Sequence, residues 1–294
     1  MKTAVVLMAY GSPTRPEDIP AYLEDIRGGR AVRPEAIAEL AERYRRIGGT
    51  SPLNEITERQ RDALERDLGV PVYVGMKHWT PRIAGAVEAA LANGAERVVG
   101  LVLAPHYSAI SIGGYRDRLE HALAGRAELV MIESWHHHSP FLDIVADRVR
   151  GTDAHVVFTA HSLPARILEE GDPYKGQLLE TSRLVAERAG VDSWSFAFQS
   201  ASPTGEPWLG PDILEELDRL HEQGVSKVLV VPVGFVSDHL EILWDIDVEA
   251  REKAAGLGLE LDRIESLNDA PEFARALALL VEQVLGASTR IEVP

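Results

Sequence analysis

Apolar positions in this chain gather into short, nearly continuous runs at residues 4–9, 70–75, 97–103, 129–132, 155–159, 193–198, 227–231 and 259–263. Runs of that length, rich in Val, Ile and Leu, suit strands buried on both faces, as in parallel sheets. Between nearly all of them lie stretches with apolar positions three and four apart, such as Ile83–Ala92, Leu178–Ala189 and Ile213–Gln223, which predict amphipathic helices. Alternation of this kind requires crossover connections and hence an α/β fold. The eight runs fall into two sets of four near Gly151-Thr152-Asp153. They predict two Rossmann-like lobes, residues 1–150 and 151–294, each a roughly four-stranded parallel sheet flanked by helices.

A faint internal repeat supports that division. The first run ends Ala9-Tyr10-Gly11-Ser12-Pro13 and the fifth Ala160-His161-Ser162-Leu163-Pro164; the third leads to Ala104-Pro105-His106 and the seventh to Val231-Pro232-Val233. Ligands of open α/β sheets bind outside such strand ends.

One stretch departs from plain amphipathicity. Residues 229–249 read LVVPVGFVSDHLEILWDIDVE: an apolar strand, a break at Pro232 and Gly234, then a helix from about Asp238. Asp238, Glu241, Asp245 and Glu249 follow at spacings of three, four and four, along one helical face. Like charges so placed destabilise a helix unless a cation sits among them. The stripe reads as a solvated face or as the wall of a cation path. His161, just past a buried strand, reads in turn as a structural histidine or as part of a site. Its place in the same half as the stripe favours the site. Imidazole beside carboxylate is a ligand set for Fe²⁺, Zn²⁺ or Ni²⁺, and equally an acid–base pair.

Composition narrows the chemistry. The formal net charge of −16 argues against nucleic-acid binding and favours cations as visitors. With no cysteine the chain has no disulfide, no thiolate nucleophile and no cysteine-ligated cluster, so a metal would rest on His, Asp, Glu, Tyr or backbone oxygen. No apolar run is long enough to span a bilayer, and residues 1–10 lack a signal-peptide pattern, so a cytoplasmic protein is expected. Against the acidic background, six arginines (27, 30, 33, 43, 45 and 46) face only Glu35, Glu39 and Glu42. Solvated i,i+4 pairs cover Arg45 and Arg33, while arginine also binds carboxylates in a bidentate manner. His136-His137-His138 reads as solvated loop, and Trp208 and Trp244 as core.

The segments MAYGSP (8–13), RYRRIGGTSPL (43–53), GMKHWTP (75–81), LAPHYS (103–108), TAHSLP (159–164), GDPY (171–174), QSASPTGEPWLGP (199–211) and VPVGFVSDHLEILWDID (231–247) occur in an order that resembles the ferrochelatase family over about residues 5–285. The resemblance implies two Rossmann-like lobes around a porphyrin cleft, and insertion of Fe²⁺ into the ring. It makes His161 and Glu241 the inner metal pair, and Asp245 and Glu249, with Glu241, a ladder whose outer end holds a second, Mg²⁺-like ion. Tyr10 becomes an axial oxygen on the ring's other face. Arg27, Arg43, Tyr44, Ser51 and Tyr115 surround the porphyrin and its propionates, with Lys77 and His78 in another cleft-facing motif.

The MAYG form with Tyr10 resembles the soluble branch acting on coproporphyrin III. That branch works without an organic cofactor, and a chain lacking cysteine carries no iron–sulfur cluster. The expected partners are the porphyrin, ferrous iron and a downstream haem-pathway enzyme, with no nucleic acid or membrane, for a protein working as a monomer. The alternatives are a protoporphyrin IX ferrochelatase, a cobalt or nickel chelatase, and a porphyrin or haem carrier without turnover.

Overall fold

The structure, a computed structural model, describes residues 1–202 and 204–289. All eight expected strands form: β1 (Thr3–Ala9), β2 (Val72–Met76), β3 (Arg97–Val102), β4 (Glu128–Ile132), β5 (His155–His161), β6 (Trp194–Gln199), β7 (Lys227–Val231) and β8 (Glu260–Arg263). They build two four-stranded sheets of order β2-β1-β3-β4 and β6-β5-β7-β8. Every pairing is parallel, with Val5 opposite Val72 and Val99, and Val157 opposite Ser195 and Val230. The two orders are the same once the second set is renumbered, which is the internal repeat made visible. β1 and β5 occupy equivalent central places, where the strand order reverses. Both are buried almost throughout, which explains their unbroken apolar runs.

The helices are α1 (Ile19–Ile26), α2 (Pro34–Arg46), α3 (Leu53–Leu68), α4 (Ile83–Ala92), α5 (Gly114–Leu123), α6 (Ser139–Val149), α7 (Tyr174–Ala189), α8 (Ile213–Glu222), α9 (Arg251–Leu257) and α10 (Pro271–Thr289). α8 begins with a capping box: Asp212 accepts from Leu214 N at 2.8 Å, and Glu215 accepts from Asp212 N at 3.0 Å. No helix among the described residues is long and apolar enough to cross a membrane.

The chain forms two compact units, one of Met1–Trp135 with the chain from Asn268 onward, the other of His136–Leu267. This differs from the expected division at 150/151. Trp135 stays with the first unit because its indole donates to Val102 O at 3.1 Å and packs beside Phe273. α6 belongs with α7: Thr181 donates to His136 O at 3.1 Å, and His136 Nε2 meets Glu180 Oε2 at 3.0 Å. His136 is therefore buried rather than solvated, while His137 is exposed. α10 returns to α3, where Arg59 meets Asp269 at 2.7 Å and Gln60 donates to Asn268 O at 2.6 Å.

Candidate active site

In the second unit the site starts from a close backbone crossing. After β7 the chain turns at Pro232, and Gly234 N donates to Thr159 O at 3.1 Å. A Cβ on Gly234 would stand 2.5 Å from Ala160 Cβ, so only glycine lets the turn lie against the end of β5. That crossing brings the following segment to His161. His161 Nδ1 lies 3.0 Å from Glu241 Oε2. A carboxylate only accepts, so Nδ1 carries the proton and the lone pair of the neutral ring is on Nε2. The two side chains keep 31% and 36% of their surface, open enough to meet a ligand.

His239 sets its Nε2 3.6 Å from the same Glu241 oxygen, while its Nδ1 donates to Ser237 O at 3.0 Å. Behind His161, the buried Tyr174 hydroxyl donates to His161 O at 2.9 Å, and the Trp208 ring, nearly perpendicular to the imidazole, has its centre 6.4 Å from that of the imidazole. Trp208 is thus a half-buried neighbour of the histidine rather than core.

Burial disfavours charge on both partners, but their mutual attraction wins. Desolvation alone would lower the His161 pKa; Glu241, by charge and hydrogen bond, and Asp245 by charge raise it above its ordinary value. Desolvation alone would raise Glu241, yet His161 and His239 hold it well below the usual carboxylate range. The imidazole and carboxylate titrate as a coupled pair.

Beyond Glu241 the helix widens into a π-helix over Ile242–Ala250 before returning to α geometry in α9. Four-residue steps fall between an α turn and the wider π turn, so Glu241, Asp245 and Glu249 keep to one side. Asp245 is buried and accepts from Gln199 Nε2 at 3.4 Å and from the Ser200 hydroxyl. Ser200 holds a left-handed φ of 65°, strain that keeps its hydroxyl on Asp245. Glu249 is half-buried. Asp238, placed on the same stripe by its spacing, is bound elsewhere: Arg263 Nη1 lies 3.2 Å from its carboxylate. Among the described residues no group of three or more His, Asp or Glu side chains is gathered to hold a metal ion.

In the first unit Tyr10 leaves the end of β1 with 42% of its surface exposed, its ring 4.6 Å from that of His78. His78 Nδ1 is 2.9 Å from Asp25 Oδ2, and Arg82 takes the other Asp25 oxygen at 2.9 Å. Lys77, largely buried, has its pKa lowered to about 8, chiefly by desolvation and then by Arg118. Its ammonium donates to Ser111 O at 3.1 Å and lies 4.7 Å from the centre of the Tyr115 ring.

The residues expected around a ligand here divide into two kinds. Tyr10 and Arg27 are exposed and Arg43 is half-buried, whereas Tyr44, Ser51 and Tyr115 are buried. The Tyr44 hydroxyl shares a hydrogen bond with Ser12 at 2.9 Å, and Ser51 accepts from Leu53 N at 3.3 Å at the start of α3. Arg43 forms an i,i+4 pair with Glu39 at 2.8 Å. Arg45 pairs with Glu42, at i,i+3 rather than the expected i,i+4. His106 is buried. Sequence reasoning missed His239, Gln199, Ser200, Tyr174 and Arg263. His239, Gln199, Ser200 and Tyr174 lie within the segments that carry the family resemblance, which was their readable signal; Arg263 lies outside them.

A family model described as ferrochelatase matches residues 2–285. A ferrochelatase of Herpetosiphon aurantiacus is 45% identical, over 95% of this chain and 98% of its own. A coproporphyrin III ferrochelatase of Bacillus subtilis is 40% identical, over 97% of this chain and 98% of its own. Among solved structures, SirB from Bacillus subtilis with Fe³⁺ matches with a TM-score of 0.64, covering 98% of each chain. At 14% identity that likeness speaks to the fold alone.

Proposed function

Because the chain belongs to the ferrochelatase family and so inserts iron into a porphyrin, we propose that its porphyrin is coproporphyrin III and that His161 and Glu241 carry the insertion. The single observation behind the second part is the 3.0 Å contact between His161 Nδ1 and Glu241 Oε2 at the end of β5.

Metallation requires two pyrrole N–H protons to leave as the ion enters. With Nδ1 held by Glu241, His161 offers its one Nε2 lone pair first as ligand to incoming Fe²⁺. Once the ion has passed to the ring nitrogens, that lone pair accepts one pyrrole proton, the second leaving to water. A histidine pKa raised above 6.5 makes it the stronger base for that transfer. Glu241 balances the imidazolium so formed and shares the ion, replacing a water of its shell. Asp245 and Glu249, each four residues further, supply successive carboxylates along the approach, and their outer end suits the hydrated second ion. Tyr10 and the Arg27 and Arg43 guanidiniums serve the porphyrin, as axial oxygen and as bidentate partners for propionates.

The choice of coproporphyrin III draws on the relatives of that name, about 40% identical over most of the chain. It also draws on Tyr10 and on the arginines available to four propionates. The test is anaerobic turnover with Fe²⁺, coproporphyrin III and protoporphyrin IX in parallel. A clear preference for coproporphyrin III is expected. Equal turnover would remove the substrate assignment. Stoichiometric binding without turnover would make the protein a carrier.

A further inference from the structure

The segment from Asp238 to Glu249 carries five carboxylates, Asp238, Glu241, Asp245, Asp247 and Glu249, within twelve residues. Such a density of charge repels itself, and in a half-buried segment water screens it weakly. Two of the five end on one guanidinium. Arg263, the last residue of β8, places Nε 3.0 Å from Asp247 Oδ1 and Nη2 2.7 Å from Asp247 Oδ2, a bidentate fork. Its Nη1 lies 3.2 Å from Asp238 Oδ1. That nitrogen also donates to Ile264 O and Ser266 Oγ, both at 3.1 Å, and Ser266 returns a hydrogen bond to Asp238 at 2.6 Å. Only 10% of the Arg263 side chain is exposed.

We infer that Arg263 is a positioning residue for metal insertion: it fastens the chain on both sides of Glu241, at Asp238 and at Asp247, to the end of β8. Glu241 sits in the span between these anchors, three residues after one and six before the other. A span held at both ends keeps its carboxylate on His161; held at one end it pivots. The same guanidinium sorts the charges. Asp238 and Asp247 are both ion-paired to it in place, which leaves Glu241, Asp245 and Glu249 to meet a cation. Lysine cannot reproduce this role, because an ammonium lacks the planar fork. Arg251, 3.7 Å from Asp247, touches only one of the anchors.

The kinetic consequence rests on the ferrochelatase reading; the anchoring does not. The experiment compares wild type, Arg263→Lys, Arg263→Met and Asp247→Asn, each checked for a cooperative thermal transition. Fe²⁺ and coproporphyrin III are varied independently, and porphyrin affinity is measured by fluorescence without metal. In Arg263→Met, kcat/KM for Fe²⁺ should fall about ten- to a hundredfold, as for other groups that orient a metal ligand, with porphyrin Kd within about twofold. Arg263→Lys should recover part of the loss, and Asp247→Asn should fall between.

Amide hydrogen exchange over residues 238–250 should quicken in Arg263→Met whatever the wild type turns over. A folded Arg263→Met with wild-type iron kinetics and unchanged exchange would overturn the inference. So would a loss shared equally by porphyrin affinity. Failure of the wild type to metallate, with exchange still quickened, would strike the functional reading and leave the anchor standing.

Discussion

The second unit sets His161 Nδ1 3.0 Å from a Glu241 oxygen, and the first sets His78 Nδ1 2.9 Å from an Asp25 oxygen, yet the two imidazoles titrate in opposite directions. His78 keeps only 10% of its side-chain surface, and desolvation pulls its pKa down before any partner acts. Its carboxylate is also shared: Arg82 holds the other Asp25 oxygen, and Arg118 and Lys77 add positive charge. Glu241 is held by His161 and His239 against its own desolvation, and Asp245 adds a second negative charge near His161. Nearly equal contact distances thus accompany a histidine lowered in one unit and raised in the other. Desolvation of His78, with the positive charges of Arg118 and Lys77, outweighs its carboxylate, whereas Glu241 and Asp245 outweigh desolvation at His161.

That contrast can be broken from either side. The largest effect is expected for His161→Ala, which removes ligand and base together: kcat should fall about 10²- to 10⁴-fold, with porphyrin still quenching in a binding titration. Undiminished turnover would refute the role given to His161. Glu241→Gln keeps the shape and removes the charge; activity should fall about ten- to a hundredfold, and the His161 ring should titrate lower than in wild type. Its stability cost should depend on pH in a set way. Glu241, held below its ordinary 4.5, stabilises the fold above that value and loses the contribution as pH falls through its lowered pKa. His161, raised above 6.5, stabilises below that value and loses the contribution as pH rises through its own. The gap between wild type and Glu241→Gln should therefore be widest between these limits, measured by denaturant melts across pH.

Gly234→Ala tests the crossing that brings the pair together. The added Cβ, 2.5 Å from Ala160 Cβ, should cost about 1–3 kcal/mol, as overpacking does, and lower kcat without altering the first unit. Unchanged stability would mean the turn does not need its close approach. The smallest effect belongs to Arg82→Gln. Freed from the guanidinium, Asp25 should raise the His78 pKa toward the behaviour of His161, read by proton NMR, with turnover little changed.

Most of the fold was legible because buried parallel strands are written as unbroken apolar runs. Each observed strand lies within two residues of its expected bounds, and the repeat of strand ends foretold the repeat of sheet order. The unit boundary was not legible. It depends on Trp135 reaching Val102 and on α10 returning to α3, contacts between residues far apart in sequence. At the site, strand-end position singled out His161 and helical spacing the stripe that contains Glu241; the family resemblance, not the spacing, paired the two. Spacing could not say which carboxylates are already neutralised: Asp238 shares the stripe by period, but a guanidinium 25 residues later claims it. The π geometry was hidden for a related reason, since its wider turn leaves the same four-residue pattern as an α-helix.

The most direct measurement is the pH titration of the ring protons of His161 and His78, assigned with single His→Gln variants and followed in one wild-type sample. His161 should titrate above 6.5 and His78 below it. Coincident titrations, or the reverse order, would show that these surroundings do not set the two rings apart, and the account of His161 would fail with it.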